Sequence, residues 1–159
     1  MKVAIIGQGY VGLTISVFAA RANEVIGYDR NTILVENLNS GKSHIEGVDG
    51  ELLKKLIAQD KFRATSSSAD ITGSDIVLIA VPTPLDSNRK PDLSYIDSAC
   101  KVIAESLDSP ALIINESTSY PGTIRNYIKP AIEKYSKAKI AHEYAISPER
   151  VDPGRVEWN

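Results

Sequence analysis

Three glycines in the turn GQGYVG, at Gly7, Gly9 and Gly12, restrict this chain to a small set of folds. The turn follows KVAII (Lys2–Ile6), an apolar run that predicts a buried strand, and it precedes a helical pattern. Gly7 permits a tight turn out of the strand, and Gly12 lets the helix pack closely against it. Gly9 leaves the backbone without a Cβ where a pyrophosphate would approach. The spacing predicts a dinucleotide-binding turn, with a purely structural turn as the alternative.

The residues around this turn indicate how negative charge would be held. The amides of Tyr10 and Val11 open the predicted helix, where the helix dipole favours an anion without any basic side chain. A second strand, EVIGY (Glu24–Tyr28), ends at Asp29, which lies 22 residues after the first glycine. That spacing is typical of the acid that binds the adenosine ribose hydroxyls, and a helix cap is the alternative role. A carboxylate there repels a 2′-phosphate and favours NAD over NADP, whereas Arg30 beside it weakens that preference.

Apolar runs alternate with amphipathic stretches along the rest of the chain, and a serine cluster at 66–68 predicts a turn. This alternation predicts a parallel sheet covered by helices on both faces. We therefore expect an α/β fold of the Rossmann type, a doubly wound parallel sheet in a single domain over residues 1–159. The further predicted strands are Asp75–Val81, Ala111–Asn115 and Ile140–Ile146, and the predicted helices cover residues 11–22, 32–39, 93–107 and 122–135, with another beginning at Asp49.

Three polar loops follow predicted strands: VPTP (81–84), ESTSYPGT (116–123) and SPER (147–150). The carboxyl ends of parallel strands meet at one edge of the sheet, where ligands bind in open α/β folds. Prolines stiffen these loops, so that Thr83 and Thr118 would present hydroxyls from a fixed backbone. Glu149 is a candidate to orient a water or transfer a proton. Ordinary turn chemistry, with a solvated acid at 149, is the alternative.

Composition and isolated residues argue against several other functions. A net charge of -2 provides no basic surface for nucleic acid or an anionic membrane. Cys100 shares a helical face with Ile96 and Ile103, which predicts a core residue rather than a nucleophile. His44 and His142 lack the spacing of metal ligands, so we expect no metal. The first apolar run is too short for a signal peptide or a membrane span, and we expect a cytoplasmic protein.

Four segments, in order, resemble the amino-terminal domain of the UDP-glucose/GDP-mannose dehydrogenase family: MKVAIIGQGYVGL, VPTPLDSNRKPDLSYIDSA, ESTSYPGT and SPERVDPG. HIEGV (44–48), PDLSY (91–95) and SPERVDPG are more similar to members that oxidise UDP-N-acetylglucosamine or UDP-N-acetylmannosamine than to those acting on UDP-glucose. The family oxidises the C6 alcohol of a nucleotide sugar to a carboxylate in two NAD-dependent steps. The resemblance therefore implies that reaction, with NAD as cofactor and a UDP-sugar as substrate.

The resemblance also implies roles for individual residues. Val11 and its neighbours match the pyrophosphate contacts, and Asp29 matches the ribose ligand. Thr83 and Thr118 match residues around the nicotinamide half of the cofactor, and Thr118 is also a candidate catalytic residue.

The last loop carries the roles that concern the substrate. Glu149 resembles the acid that contacts both the cofactor and the reacting water, while Arg150 and Val151 resemble the segment that lies along the sugar nucleotide. One position departs from the family: many members have a basic residue five positions after the ribose acid, where this chain has Leu34. Arg30 is the candidate to substitute for it.

The family's catalytic cysteine, with a helper lysine and an asparagine, belongs to a later domain, and Cys100 does not match it. We therefore expect the central and C-terminal UDP-sugar-binding domains to be absent from this chain, which alone would bind NAD weakly without oxidising a sugar. The resemblance implies a homodimeric full-length protein in nucleotide-sugar metabolism and polysaccharide biosynthesis. The alternatives are a UDP-glucose 6-dehydrogenase, a small reductase related to hydroxyacid dehydrogenases, and a stand-alone NAD(H) sensor.

Overall fold

Six parallel strands form the central sheet. The computed structural model describes residues 1–137 and 139–148. The strands are β1 (Lys2–Ile6), β2 (Glu24–Tyr28), β3 (Phe62–Thr65), β4 (Ile76–Ile79), β5 (Leu112–Asn115) and β6 (Glu143–Ile146). Across the sheet they follow the order β3-β2-β1-β4-β5-β6.

The strand order reverses at β1, which lies between β2 and β4. The chain winds outward from β1 through β2 to β3, and then returns to place β4 on the opposite side of β1. Ile6 pairs in register with Tyr28 of β2 and Ile79 of β4, so the three strands end together. Such a reversal leaves a crevice beyond the carboxyl ends of the strands, which is where ligands bind in open α/β sheets.

Helices cover both faces of the sheet. The side chains of consecutive strand residues point to opposite faces, so Ile5 packs in one hydrophobic cluster and Ile6 in the other. The helices are α1 (Tyr10–Ala19), α2 (Thr32–Asn39), α3 (Gly50–Ala58), α4 (Ser94–Ser106) and α5 (Lys129–Tyr135). The cluster that contains Ile5 includes residues of α1, α2 and α3, and the cluster that contains Ile6 includes residues of α4 and α5.

The predicted Rossmann-type fold is confirmed, but one strand was missed. The segment Phe62–Thr65 forms β3 at the edge of the sheet, although FRAT is only four residues long and places the exposed Arg63 between two buried residues. A run this short does not show strand periodicity in the sequence. Its pairing with β2 therefore comes from tertiary contacts.

Several boundaries also differ from the predictions. The helix predicted over residues 122–135 is divided into a π-helical segment, Ile124–Ile128, and α5. β4 ends at Ile79 rather than at residue 81, and β6 begins at Glu143 rather than at residue 140. The serine cluster runs into a short 3-10 helix, Ser68–Ile71. Helix and strand ends are set by local capping and pairing, which periodicity does not resolve.

Candidate functional site

A pocket of about 620 Å³ opens where the strand order reverses. Its walls come from the glycine turn after β1, the turn between β2 and α2, the loops after β4 and β5, and one side of α4. Segments far apart in the sequence thus meet at one edge of the sheet, as the loop pattern predicted. Of the predicted site residues, the pocket is lined by Gly7, Gly9, Tyr10, Val11, Asp29, Arg30, Thr83 and Thr118.

The three glycines of the turn have different structural environments. Gly7 has a φ of +95°, and a Cβ on it would lie 2.5 Å from the carbonyl oxygen of Ala80. A Cβ on Gly12 would lie 1.9 Å from the carbonyl oxygen of Gly7, so this glycine packs α1 against the turn and does not line the pocket. A Cβ on Gly9 would meet no protein atom within 4 Å. The space above Gly9 therefore remains open for a ligand.

The amino terminus of α1 presents uncapped backbone at this open space. Gly9 occupies the N-cap position without a side-chain hydrogen bond, and the first turn of the helix contains no acidic residue. The first amides of a helix have no partner inside the helix, and the helix dipole adds partial positive charge. Tyr10 and Val11, which contribute such amides, line the pocket. The site therefore suits a pyrophosphate.

Asp29 joins the glycine turn to the end of β2. Its Oδ2 accepts a hydrogen bond from the Gln8 amide at 2.9 Å, and its Oδ1 accepts one from the Asn31 amide at 2.9 Å. The alternative role, a cap on α2, belongs instead to Asn31, whose Oδ1 accepts from the amides of Ile33 and Leu34. Asp29 is thus fixed at the pocket wall with lone pairs left for a ribose.

Gln8 supports the turn from beneath, which the sequence did not predict. Its side chain is fully buried and donates from Nε2 to the carbonyl of Ile5 at 3.1 Å. Its Oε1 accepts from the Ser16 hydroxyl of α1 at 3.0 Å. β2 leaves room for this amide because a Cβ on Gly27 would lie 2.7 Å from it. The glycine motif leaves position 8 unspecified, so no sequence signal identified this residue.

The outer end of the pocket is both apolar and charged. Burial raises the pKa of the Tyr28 phenol; the charge of Asp29 raises it further, and the charge of Arg30 opposes the shift. Leu34 lines the pocket at the position where the family resemblance implies a basic residue. The guanidinium of Arg30 lies over the Tyr95 ring of α4, 5.1 Å from its centroid.

The contribution of α4 to the pocket was not predicted. Tyr95, Ser98 and Val102 line it, while Ile96 and Ile103 on the adjacent face pack into the core. The amphipathic pattern identified the core face of this helix correctly. It contained no signal that the flank of the helix would face a ligand.

A buried serine ties the two loops at the other end of the pocket together. The Ser117 hydroxyl accepts from the Val81 amide at 2.9 Å and donates to the Val81 carbonyl at 2.8 Å. Thr83 and Thr118, in the two loops that this serine links, both line the pocket. Their roles toward a nicotinamide remain predictions, as do those of Glu149, Arg150 and Val151, which lie outside the described residues.

Cys100 and the histidines lie apart from the pocket wall. Cys100 is fully buried, and burial followed by the charge of Asp97 raises the pKa of its thiol to about 12. His142 accepts a hydrogen bond at Nδ1 from the Ala111 amide at 3.3 Å. Within the described residues, no group of three or more His, Cys, Asp or Glu side chains is arranged to hold a metal ion. None of the helices in that same part of the chain has the length and apolar character needed to cross a membrane.

Open space above Gly9, an uncapped helix terminus and an acid fixed at the end of β2 define a dinucleotide-binding domain of the Rossmann class. Within that class, the chain belongs to the UDP-glucose/GDP-mannose dehydrogenase family. It matches the NAD binding domain of that family over residues 1–157. The cofactor is therefore NAD, and the predicted family and cofactor are confirmed.

Similar proteins include several nucleotide-sugar dehydrogenases. The chain is 36% identical over 162 residues to the UDP-N-acetyl-D-mannosamine dehydrogenase of Pyrococcus horikoshii, covering 98% of this chain and 38% of that protein. It is 32% identical to the UDP-N-acetyl-D-glucosamine 6-dehydrogenase of Pseudomonas aeruginosa, covering 99% of this chain and 37% of that protein. The GDP-mannose dehydrogenase of Pseudomonas aeruginosa, solved as a ternary complex, superposes with a TM-score of 0.87 at 30% identity, over 96% of this chain and 37% of that one. The chain thus spans less than two fifths of the length of these relatives.

Proposed function

We propose that this chain is the NAD-binding part of a nucleotide-sugar 6-dehydrogenase acting on a UDP-N-acetylhexosamine. The observation that supports it best is the pocket, because three of the four segments that resemble the family contribute to its walls. Relatives named for UDP-N-acetylmannosamine and UDP-N-acetylglucosamine support the choice of substrate. When bound, NAD+ accepts a hydride from the C6 carbon of the sugar.

The residues of the chain would bind and orient that cofactor. The amides of Tyr10 and Val11 would hold the pyrophosphate above Gly9, and Asp29 would accept hydrogen bonds from the ribose hydroxyls. The hydroxyls of Thr83 and Thr118 would fix the nicotinamide half at the other end of the pocket.

The proposed substrate contacts and proton transfer belong to residues 149–151, which follow β6 in the sequence and lie outside the described residues. Glu149 would orient the reacting water, and Arg150 and Val151 would lie along the sugar nucleotide. The remaining contacts to the sugar, and the cysteine that carries the acyl intermediate, would come from further domains of the whole protein. That protein would be a cytoplasmic homodimer in polysaccharide precursor synthesis, as the family resemblance implies.

Calorimetric titration of the 159-residue chain with NAD+ tests the binding site. We expect Asp29→Ala to weaken binding roughly 10- to 100-fold, because hydrogen bonds to a charged acceptor are lost. Asp108→Ala, at an exposed position outside the pocket, is the matched control and should leave the affinity unchanged. Equal affinities for the two variants would refute the proposed role of Asp29.

Turnover assays test the proposed catalytic arrangement. We expect the 159-residue chain to reduce no NAD+ with UDP-N-acetylglucosamine or UDP-N-acetylmannosamine, because its Cys100 is buried and protonated at neutral pH. The same assay with simple hydroxyacids examines the alternative reductase function. Steady oxidation of either substrate class by this chain would contradict the assignment.

A further inference from the structure

Arg30 is positioned by an aromatic ring rather than by a carboxylate. Its guanidinium carbon lies 5.1 Å from the centroid of the Tyr95 ring, within the range of a cation–π interaction. Arg30 follows Asp29 directly, yet within the described residues it forms no ion pair with Asp29 or with any other acid. Tyr95 therefore supplies the contact that orients this cation.

The contact joins two segments of the pocket wall. Arg30 belongs to the turn after β2, Tyr95 lies in the first turn of α4, and both residues line the pocket. The two segments approach from opposite faces of the sheet, since α2 and α4 pack in different hydrophobic clusters. Arg30 is exposed and has a long flexible side chain, so its direction depends on this contact.

An arginine beside the ribose acid usually favours a different cofactor. In Rossmann-type sites such an arginine accommodates the 2′-phosphate of NADP. Asp29 opposes that phosphate, but within the described residues no ion pair holds the Arg30 side chain at its carboxylate. The direction of Arg30 therefore bears on the choice between NAD and NADP.

We propose that Tyr95 is a specificity-determining residue: by stacking under Arg30 it keeps that cation from the 2′-position of the adenosine ribose and so disfavours NADP. The inference rests on the proposed mode of NAD binding, in which Asp29 contacts the ribose. Before Arg30 reaches a 2′-phosphate, it must leave the ring. Tyr95 thus lowers NADP affinity by the strength of one exposed cation–π contact, roughly 2- to 5-fold.

The test measures the affinities of the 159-residue chain for NAD+ and NADP+ in a double-mutant cycle. Tyr95→Leu removes the ring, Tyr95→Phe retains it as the matched control, and Arg30→Gln removes the cation. We expect Tyr95→Leu to lower the ratio of the NADP+ and NAD+ dissociation constants roughly 2- to 5-fold. Tyr95→Phe should leave the ratio unchanged, and Tyr95→Leu combined with Arg30→Gln should abolish the shift.

The ratio separates specificity from general damage to the pocket. A structural role of Tyr95 would weaken both cofactors equally and leave the ratio constant, which would overturn the proposal. An equal shift with and without Arg30 would overturn it as well. If the leucine variant unfolds, Tyr95→Gln, which suits a half-buried helical position, removes the ring instead.

The Asp29→Ala titration distinguishes failure of this inference from failure of the proposed function. Weakened NAD+ binding in Asp29→Ala together with an unchanged ratio in the Tyr95 variants would overturn the inference alone. An undetectable affinity of the unmodified chain for NAD+ would overturn both.

Discussion

At the scale of single residues, the Asp29 carboxylate both holds two backbone segments and lies in the pocket wall. Each of its oxygens accepts a hydrogen bond from a backbone amide, one from Gln8 in the glycine turn and one from Asn31 in the turn after β2. Two glycines of the turn differ in the same respect. A side chain on Gly12 would collide with the protein backbone, whereas the space above Gly9 is open.

This difference predicts opposite phenotypes for two alanine substitutions. Gly12→Ala places a Cβ 1.9 Å from the Gly7 carbonyl oxygen and should lower the free energy of unfolding by more than about 2 kcal/mol. Gly9→Ala meets no protein atom and should change it by less than about 0.5 kcal/mol, while weakening NAD+ binding at least about tenfold. Urea denaturation and calorimetry measure the two quantities.

Gly47 provides the control for this pair, since a Cβ there also meets nothing within 4 Å and the residue lies outside the pocket. Gly47→Ala should affect neither folding nor binding. If Gly9→Ala bound NAD+ as tightly as the unmodified chain, the pyrophosphate would have to lie elsewhere.

A second residue-scale prediction concerns Cys100 and pH. The thiol has its pKa raised from 9.0 to about 12 in the folded chain, mainly by burial. In the unfolded chain the thiol ionises near its ordinary pKa. Its contribution to the free energy of unfolding is therefore fully present below about pH 9 and is lost as the pH rises toward 12. The loss amounts to about 4 kcal/mol at most.

Comparison with Cys100→Ala isolates this contribution. The variant lacks the ionisable thiol, so its free energy of unfolding should fall less steeply between pH 9 and 11 than that of the unmodified chain. Parallel curves from denaturant titrations across this range would show that the buried thiol does not control alkaline stability.

At the scale of elements, α4 contributes side chains to both the core and the pocket. Ile96 and Ile103 on its inner face pack into the core, and Tyr95 and Ser98 on its flank line the site. Its position against α5 is fixed in part by Asp97, which accepts a hydrogen bond from the Tyr135 hydroxyl at 2.9 Å. This hydrogen bond therefore links α5 to the helix whose flank lines the pocket.

Removing that hydrogen bond should weaken the helix pair measurably. We expect Tyr135→Phe to lower the free energy of unfolding by about 1 kcal/mol, the usual net contribution of one such bond. Tyr120→Phe is the matched control, because Tyr120 is 42% exposed and lies outside α4 and α5. Equal thermal unfolding temperatures for the two variants would mean that the Tyr135 contact does not stabilise the pair.

At the scale of the whole molecule, the pocket exists because the sheet reverses its winding at β1. The crevice separates the half that carries α1 and α2 from the half that carries α4 and α5. A ligand that bridges these halves binds only the folded chain, since the unfolded chain has no such crevice. Cofactor binding must therefore stabilise the fold.

The size of this stabilisation follows from mass action. At a free NAD+ concentration 100 times the dissociation constant, the free energy of unfolding should rise by about 2.7 kcal/mol. Chemical denaturation with and without NAD+ measures the shift, and Gly9→Ala at the same concentration should show much less of it. Stabilisation that persists unchanged in the variant would place the ligand outside the glycine turn.

Short-range patterns were sufficient to predict the alternation of strands and helices, the glycine turn, and the acid at the end of the second strand. Each depends on residues that are close in the sequence: apolar runs, fixed glycine spacing, and the length of one strand–helix–strand unit. The core position of Cys100 followed in the same way from its helical face. The loops after β4 and β5 could be placed at one edge because parallel strands require it.

The features that depend on long-range contacts were decided by the tertiary structure alone. β3 exists because β2 offers an edge to a segment with little strand character of its own. Gln8 can be buried because the Ser16 hydroxyl donates a hydrogen bond to its side chain, and because Gly27 has no side chain to occupy the same space. The Arg30–Tyr95 contact joins opposite faces of the sheet. A sequence pattern records what each residue prefers, but which distant side chain it meets is determined only when the two halves pack around a common sheet.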